Sequence, residues 1–173
     1  MWRKGTLSDT GAVYRCYCEL LDYEEKNGAN TVWKKGVYPT ESTALDAIEA
    51  GDMYVFEENG EILASVIIDG RQPAEYDSVP WTCEAEEGEV YVIHTLCVSP
   101  RAAGQGVGTA AVRFAAEMGR QNSKKAIRLD TGAQNVPAVR LYEKLGFRRA
   151  GEGKILLGRE ILNCRQLFFE LLL

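Results

Sequence analysis

The sequence predicts a mixed α/β fold, a single domain over residues 1–173, on three observations. Two apolar runs, Met53–Phe56 and Ile62–Asp69, are joined through Glu57-Glu58-Asn59-Gly60, and Asn-Gly between such runs is a strong hairpin signal. The apolar run Val90–Val98 leads through a glycine-rich loop into a segment with Ala111, Phe114, Ala115 and Met118 at helical spacing. A strand over Ile127–Asp130 is followed by Asn135-Val136-Pro137, a helix start with proline near the first turn. Hairpins and crossovers therefore mix in one chain.

The elements follow in order. Trp2–Thr6 reads as a short first strand, and Asp9 as the N-cap of a helix from about Ala12 to Lys26 that Asn27-Gly28 stops. Trp33–Pro39 is an aromatic loop. Thr40 or Ser42 caps a second helix reaching Ala50, which Gly51 ends. After the hairpin, Arg71–Glu89 has no periodicity and carries two prolines with the acids Glu75, Asp77, Glu84, Glu86, Glu87 and Glu89. Val90–Val98 is apolar enough to be a strand buried on both faces. The next helix runs from Val107 to about Gln121, and the one after Asn135 ends at Leu145-Gly146. Phe147–Leu157 and Leu167–Leu173 are closing strands, the latter either an inner strand, a strand pairing across a homodimer, or both.

Composition narrows the class. A chain of 173 residues, 46% hydrophobic and 26% charged, can bury a core without staples. A net charge of -5 argues against a nucleic-acid partner. No apolar run approaches the length of a membrane span, and no apolar signal core follows Met1-Trp2-Arg3-Lys4, so the expected location is the cytoplasm. Cys16, Cys18, Cys83, Cys97 and Cys164 form no CxxC pair, and the single histidine, His94, completes no familiar ligand spacing. They read as reduced thiols, and no metal site is expected.

The richest stretch is Val98–Gly108, which closes a strand and opens a helix with Gly104, Gly106 and Gly108 at every second position. Glycine lets a ligand approach the backbone, and the free N–H groups and dipole of a helix N-terminus hold anions. The loop is built for a phosphate or pyrophosphate. One reading is dinucleotide binding: Gly106, Gly108 and Ala111 fit G-x-G-x-x-A, and Asp130 sits where a ribose ligand belongs. Against it, Ser99–Ala103 separate strand from glycines, and too little chain follows for a second mononucleotide half.

The other reading uses more of the chain. Leu96-Cys97-Val98-Ser99-Pro100, the Gly104–Gly108 loop, and the block Asn135-Val136-Pro137-Ala138-Val139-Arg140-Leu141-Tyr142-Glu143-Lys144-Leu145-Gly146-Phe147 together resemble the GNAT-type N-acetyltransferases. The likeness is close over about Val90–Ala150, and elsewhere the element order agrees. It implies a mostly antiparallel central sheet of about six to seven strands, flanked by about four helices and splayed between the strands at 90–98 and 127–130. It also implies acetyl-CoA as co-substrate. Pantetheine would lie along Leu96, Cys97 and Val98, and the pyrophosphate on Gly104, Gln105, Gly106, Val107, Gly108 and Thr109. Family members usually carry Arg or Gln at the position of Ala103; Arg101 or Gln105 would supply that polar arm.

By the same resemblance, Asn135 contacts the pantetheine or an amide, and Tyr142 is the general acid that protonates the departing thiolate. On residues alone, Asn135 is equally a helix cap, and Tyr142 lies beside the apolar face Ala138, Leu141, Leu145. Relatives often place a carboxylate base on the strand equivalent to Val90–Val98, where this chain has only His94 as a titratable group near neutral pH, with Glu89 or a water chain as alternatives. Trp33, Tyr38, Tyr76 and Trp81 either cap an ammonium by cation–π contact or cover the core edge. The acceptor expected is a small primary amine, attacking directly in a ternary complex. The competing classes are a non-catalytic acyl-CoA-binding domain and a nicotinamide-linked oxidoreductase.

Overall fold

A computed structural model describes residues 1–157, 160–161 and 165–173. In chain order the elements are β1 (Trp2–Lys4), α1 (Thr10–Asn27), α2 (Glu41–Ala50), β2 (Met53–Glu58), β3 (Glu61–Asp69), β4 (Val90–Val98), α3 (Val107–Gln121), β5 (Ala126–Gly132), α4 (Val136–Lys144), β6 (Arg148–Gly153), β7 (Leu156–Leu157), β8 (Glu160–Ile161) and β9 (Gln166–Leu172). Seven strands hydrogen-bond in the order β1-β2-β3-β4-β5-β9-β6, and β7-β8 form a separate pair. The β1-β2, β2-β3, β5-β9 and β6-β9 pairings are antiparallel, and β4-β5 is parallel over Val90–Ile93 and Ala126–Leu129. No helix among the described residues is long and apolar enough to cross a membrane.

The described residues fall into two compact units. The first comprises Met1–Ala29, Trp33–Ile68 and His94–Val112. Its hairpin turns where the sequence places it, at Asn59 and Gly60, with φ of 52° and 80°. Two positive φ values in succession give the twist that antiparallel strands need. On one side, Val13, Cys16 and Tyr17 of α1 and Ala44, Ala47 and Ile48 of α2 bury against Met53, Val55, Ile62, Ile67 and Cys97. On the other, Leu63, Ala64, Ala102 and Val107 pack with Trp2, Phe56 and Val98. The strand buried on both faces is thus β3, continuous from Ile62 to Asp69. In β4, Tyr91, His94, Leu96 and Val98 are only half-buried.

Asp9 occupies the N-cap position of α1 as the sequence suggests, but its side chain makes no capping bond to that helix. A 3-10 turn over Leu7–Asp9 precedes α1, and the Asp9 carboxylate turns back to accept from the Thr6 amide and hydroxyl (both 2.8 Å) and from Arg3 Nη1 and Nη2 (2.8 and 2.9 Å). These bonds, led by Arg3, hold its carboxyl well below the ordinary range, at about 2. A depressed carboxylate pKa stabilises the fold fully above the unfolded value of about 3.9, and the contribution fades as pH falls through the folded one. Asp9→Asn should therefore cost about 1.5–3 kcal/mol at pH 7. Urea titrations of wild type and variant should converge as pH is lowered from about 4 to about 2.

The second unit comprises Asn30–Val32, Asp69–Ile93 and Arg113–Leu173. Its core joins Tyr76, Val79, Val90, Val92, Ala126, Ala150, Ile155 and Phe168. Strand β9 is an inner strand, paired on one edge by β5 and on the other by β6, so it offers no edge to a second copy. The segment 71–89, irregular apart from a 3-10 turn at Ala74–Ser78, is anchored from below by a buried ion pair. Arg128 and Glu170, opposite each other on β5 and β9 and 3% and 1% exposed, meet at 3.1 Å. The Arg128 guanidinium also donates to Gln72 Oε1 and the Cys83 carbonyl and lies 4.4 Å under the Trp81 ring. Glu170 accepts from the Thr82 amide at 2.8 Å. Cys16, Cys18, Cys83 and Cys97 are free thiols; Cys164 lies outside the described residues.

Candidate active site

In the first unit, the loop from β4 to α3 is set by a short network. The Ser99 amide donates to Leu63 O (2.8 Å), and its hydroxyl accepts from the Arg101 amide (3.2 Å) and donates to Glu19 on α1 (2.6 Å). A 3-10 turn over Pro100–Ala102 then delivers Gly104 and Gly106 with φ of 75° and 79°. Neither glycine has any heavy atom within 4 Å of where a Cβ would stand, so the loop borders open space. Ala110 donates to Gly106 O at 2.9 Å, the first helical bond. The amides of Val107, Gly108 and Thr109 precede it and have no carbonyl within the helix to bind. Together with the helix dipole, these amides form a set of backbone donors of the kind that suits an anion.

The side chains offered as polar arms are occupied. Arg101 is held by Glu19 and Glu61, and Gln105 donates back to Arg101 O at 3.1 Å. Ala103 is exposed and contributes no donor. Leu96 and Val98 are half-buried, whereas Cys97 is fully buried, with its Sγ 3.6 Å from Cys16 O. Burial pushes the Cys97 thiol well above its ordinary value, which leaves its backbone as what it can offer a ligand. His94 is half-buried on the same stretch. Trp33 and Tyr38 meet edge-on at 6.2 Å, and the Tyr38 hydroxyl hydrogen-bonds Thr95 Oγ1. Sequence reasoning passed over Thr95, because nothing in its neighbours announces the φ of 46° it adopts inside β4.

In the second unit, Asn135 caps α4 by accepting from the Ala138 amide at 3.3 Å. Tyr142 is the buried residue of that helix at 6% exposed, its ring 5.7 Å from Phe147 and 5.8 Å from Phe169. The helix turns Tyr142 inward, and Ala138, Leu141 and Leu145 are left half-buried. Burial, and then the negative charge of Asp130, push the Tyr142 phenol well above its ordinary value, so it carries its proton throughout the neutral range.

Of the four aromatic residues expected to meet an acceptor, Tyr76 and Trp81 have contacts within the core. Tyr76 is 1% exposed and donates its hydroxyl to Asp130 at 2.8 Å. Trp81 Nε1 donates to Tyr76 O at 2.9 Å, and both rings pack on Phe168. Asp130, the residue that the dinucleotide reading assigns to a ribose, is engaged by this tyrosine. Glu89, the alternative base, pairs with Lys125 at 2.5 Å and is held below the ordinary carboxylate range by that contact. Among the described residues, no three His, Cys, Asp or Glu side chains are grouped to hold a metal ion.

Comparison with known proteins places this geometry in context. A family model described as the acetyltransferase (GNAT) family matches residues 19–147. An uncharacterized N-acetyltransferase of Bacillus subtilis, YesJ, is 33% identical over 105 residues, 61% of this chain and 57% of that protein. The chain thus spans a little over half the length of that relative. A GNAT-family acetyltransferase structure from Streptococcus agalactiae superposes with a TM-score of 0.79 at 20% identity, over 99% of this chain and 94% of that one. The yncA structure from Salmonella typhimurium, solved with its cofactor acetyl-CoA, gives 0.70 at 18% identity, over 99% and 92%. These structures share the fold.

Proposed function

This chain belongs to the acetyltransferase (GNAT) family, and from that premise we propose that it moves an acetyl group from acetyl-CoA to a small primary amine. The whole chain, 1–173, acts as one acetyltransferase domain in the cytoplasm, where its thiols stay reduced. The observation that carries this reading is the open cradle at Gly104–Thr109, whose amides need no side-chain partner to take a pyrophosphate. The acetyl-CoA of the yncA structure, in a protein of the same fold, supports the choice of ligand. The backbone of Leu96–Val98 would hold the pantetheine as an added strand does.

The amine nitrogen attacks the thioester carbonyl, the C–S bond breaks, and the sulfur leaves as a thiolate. Tyr142 gives that thiolate its proton, and Asn135 orients the pantetheine amide while capping α4. His94 takes the proton from the attacking amine. Trp33 and Tyr38 remain as the aromatic edge for the acceptor. If His94 is the base, kcat/KM has an acid limb that His94→Ala abolishes; an unchanged pH profile removes it from the mechanism.

Calorimetric titration of acetyl-CoA, with NAD as control, tests the reading directly. Saturable binding of acetyl-CoA alone, followed by thiol release in an amine screen, is the expected result. Binding without thiol release for any amine would favour an acyl-CoA-binding domain, a reading that Ala103 and a β4 without Asp or Glu keep in view. Binding of NAD alone would overturn both.

A further inference from the structure

Strand β4 changes face partway along. Val90 and Val92 are buried, then Ile93 also, then Thr95 and Cys97, so the buried set passes from even to odd positions. A strand alternates with period two, and such a switch requires an irregular residue. The switch falls at Val92–Ile93, and the residue of β4 that leaves the extended region is Thr95, two positions on, at φ 46° and 8% exposed. A β-branched residue in the left-handed region is a genuine outlier and persists only when its surroundings hold it there.

The holding group is visible. The Thr95 hydroxyl is bonded to that of Tyr38, and Tyr38 is itself fixed. Its amide donates to Lys34 O and its carbonyl accepts from the Lys34 amide, both at 3.0 Å. Its ring meets Trp33. Immediately after Thr95 come Leu96–Val98, the backbone that the proposed reaction uses.

We infer that Tyr38 is a positioning residue whose hydroxyl latches Thr95 in its left-handed conformation and thereby sets how Leu96–Val98 are presented to acetyl-CoA. The consequence for turnover rests on the acetyltransferase reading; the latch itself does not. Tyr38→Phe keeps the ring and removes the bond. Amide exchange over His94–Val98 should quicken about tenfold, which corresponds to ~1.4 kcal/mol for one neutral hydrogen bond. In the same variant kcat should fall by a similar factor, with the KM for acetyl-CoA within twofold. Thr95→Val should reproduce both effects, Thr95→Ser should regain most of the lost protection, and the double variant Tyr38→Phe/Thr95→Val should be no worse than either single one.

Unchanged exchange over His94–Val98 in Tyr38→Phe overturns the latch. Faster exchange with unaltered kcat overturns its positioning role. Should Thr95→Val fail to fold, Tyr38→Phe alone decides. If wild type acetylates nothing, the function reading fails, and the exchange measurement still decides whether Tyr38 holds Thr95.

Discussion

Replacing Glu170 by alanine is expected to cost roughly 3–5 kcal/mol, the largest single loss on the stability of this chain. The cost comes from the charge left behind. Arg128 is 3% exposed, and its guanidinium spans Glu170, Gln72 and the Cys83 carbonyl. Without Glu170 it remains buried and uncompensated. The Thr82 amide also loses its acceptor, so exchange over segment 71–89 should quicken beyond the global change. For a domain of this size, each kcal/mol corresponds to roughly 2–4 °C in Tm. Glu170→Gln, which retains an acceptor, should lose less. Replacing both partners by apolar residues of similar volume, Arg128→Met with Glu170→Leu, should recover much of the loss, because no buried charge is stranded. A loss below about 1 kcal/mol for Glu170→Ala in urea titrations would show that water reaches the site.

Tyr142→Phe is expected to lower kcat by 10²–10⁴, the usual range for a positioned general acid, with acetyl-CoA affinity within twofold. Removing one oxygen keeps the ring between Phe147 and Phe169, so the fold should hold. The pH dependence has a definite sign. In the proposed role the protonated phenol is the acid, so its contribution is present below its pKa and lost as pH rises through it. Burial and Asp130 raise that pKa above the ordinary value of about 10. Tyr142 should therefore give kcat no alkaline limb below about pH 10. The same shift makes the phenol a weaker acid in the resting protein. A wild-type limb near pH 9 that vanishes in Tyr142→Phe would contradict the environment described, and an unchanged kcat would remove Tyr142 from the chemistry.

Much of the fold is legible from local chemistry. Asn59-Gly60 marks the hairpin, Thr40 the cap of α2, and helical spacing the extent of α3. The glycine loop is legible for the same reason: positive φ and a helix start are properties of a few consecutive residues. Side-chain partners are harder to read. Arg101 looks like a free cation for phosphate until α1 and β3 bring Glu19 and Glu61 to it. Nothing near Tyr76 and Trp81 in the sequence announces that the fold sets both rings edge-on against Phe168.

The sequence by itself determined the order of elements as far as α4, the glycine loop before α3 and the membership in a family, since each is written in turn chemistry, periodicity and motif over short spans. Only the tertiary structure decided that Arg128 meets Glu170, that Tyr142 points into a core, and that Thr95 takes a positive φ within β4 bonded to the hydroxyl of Tyr38. Those outcomes depend on strand register and on which faces bury together. Such terms join residues tens of positions apart, and no local pattern carries them.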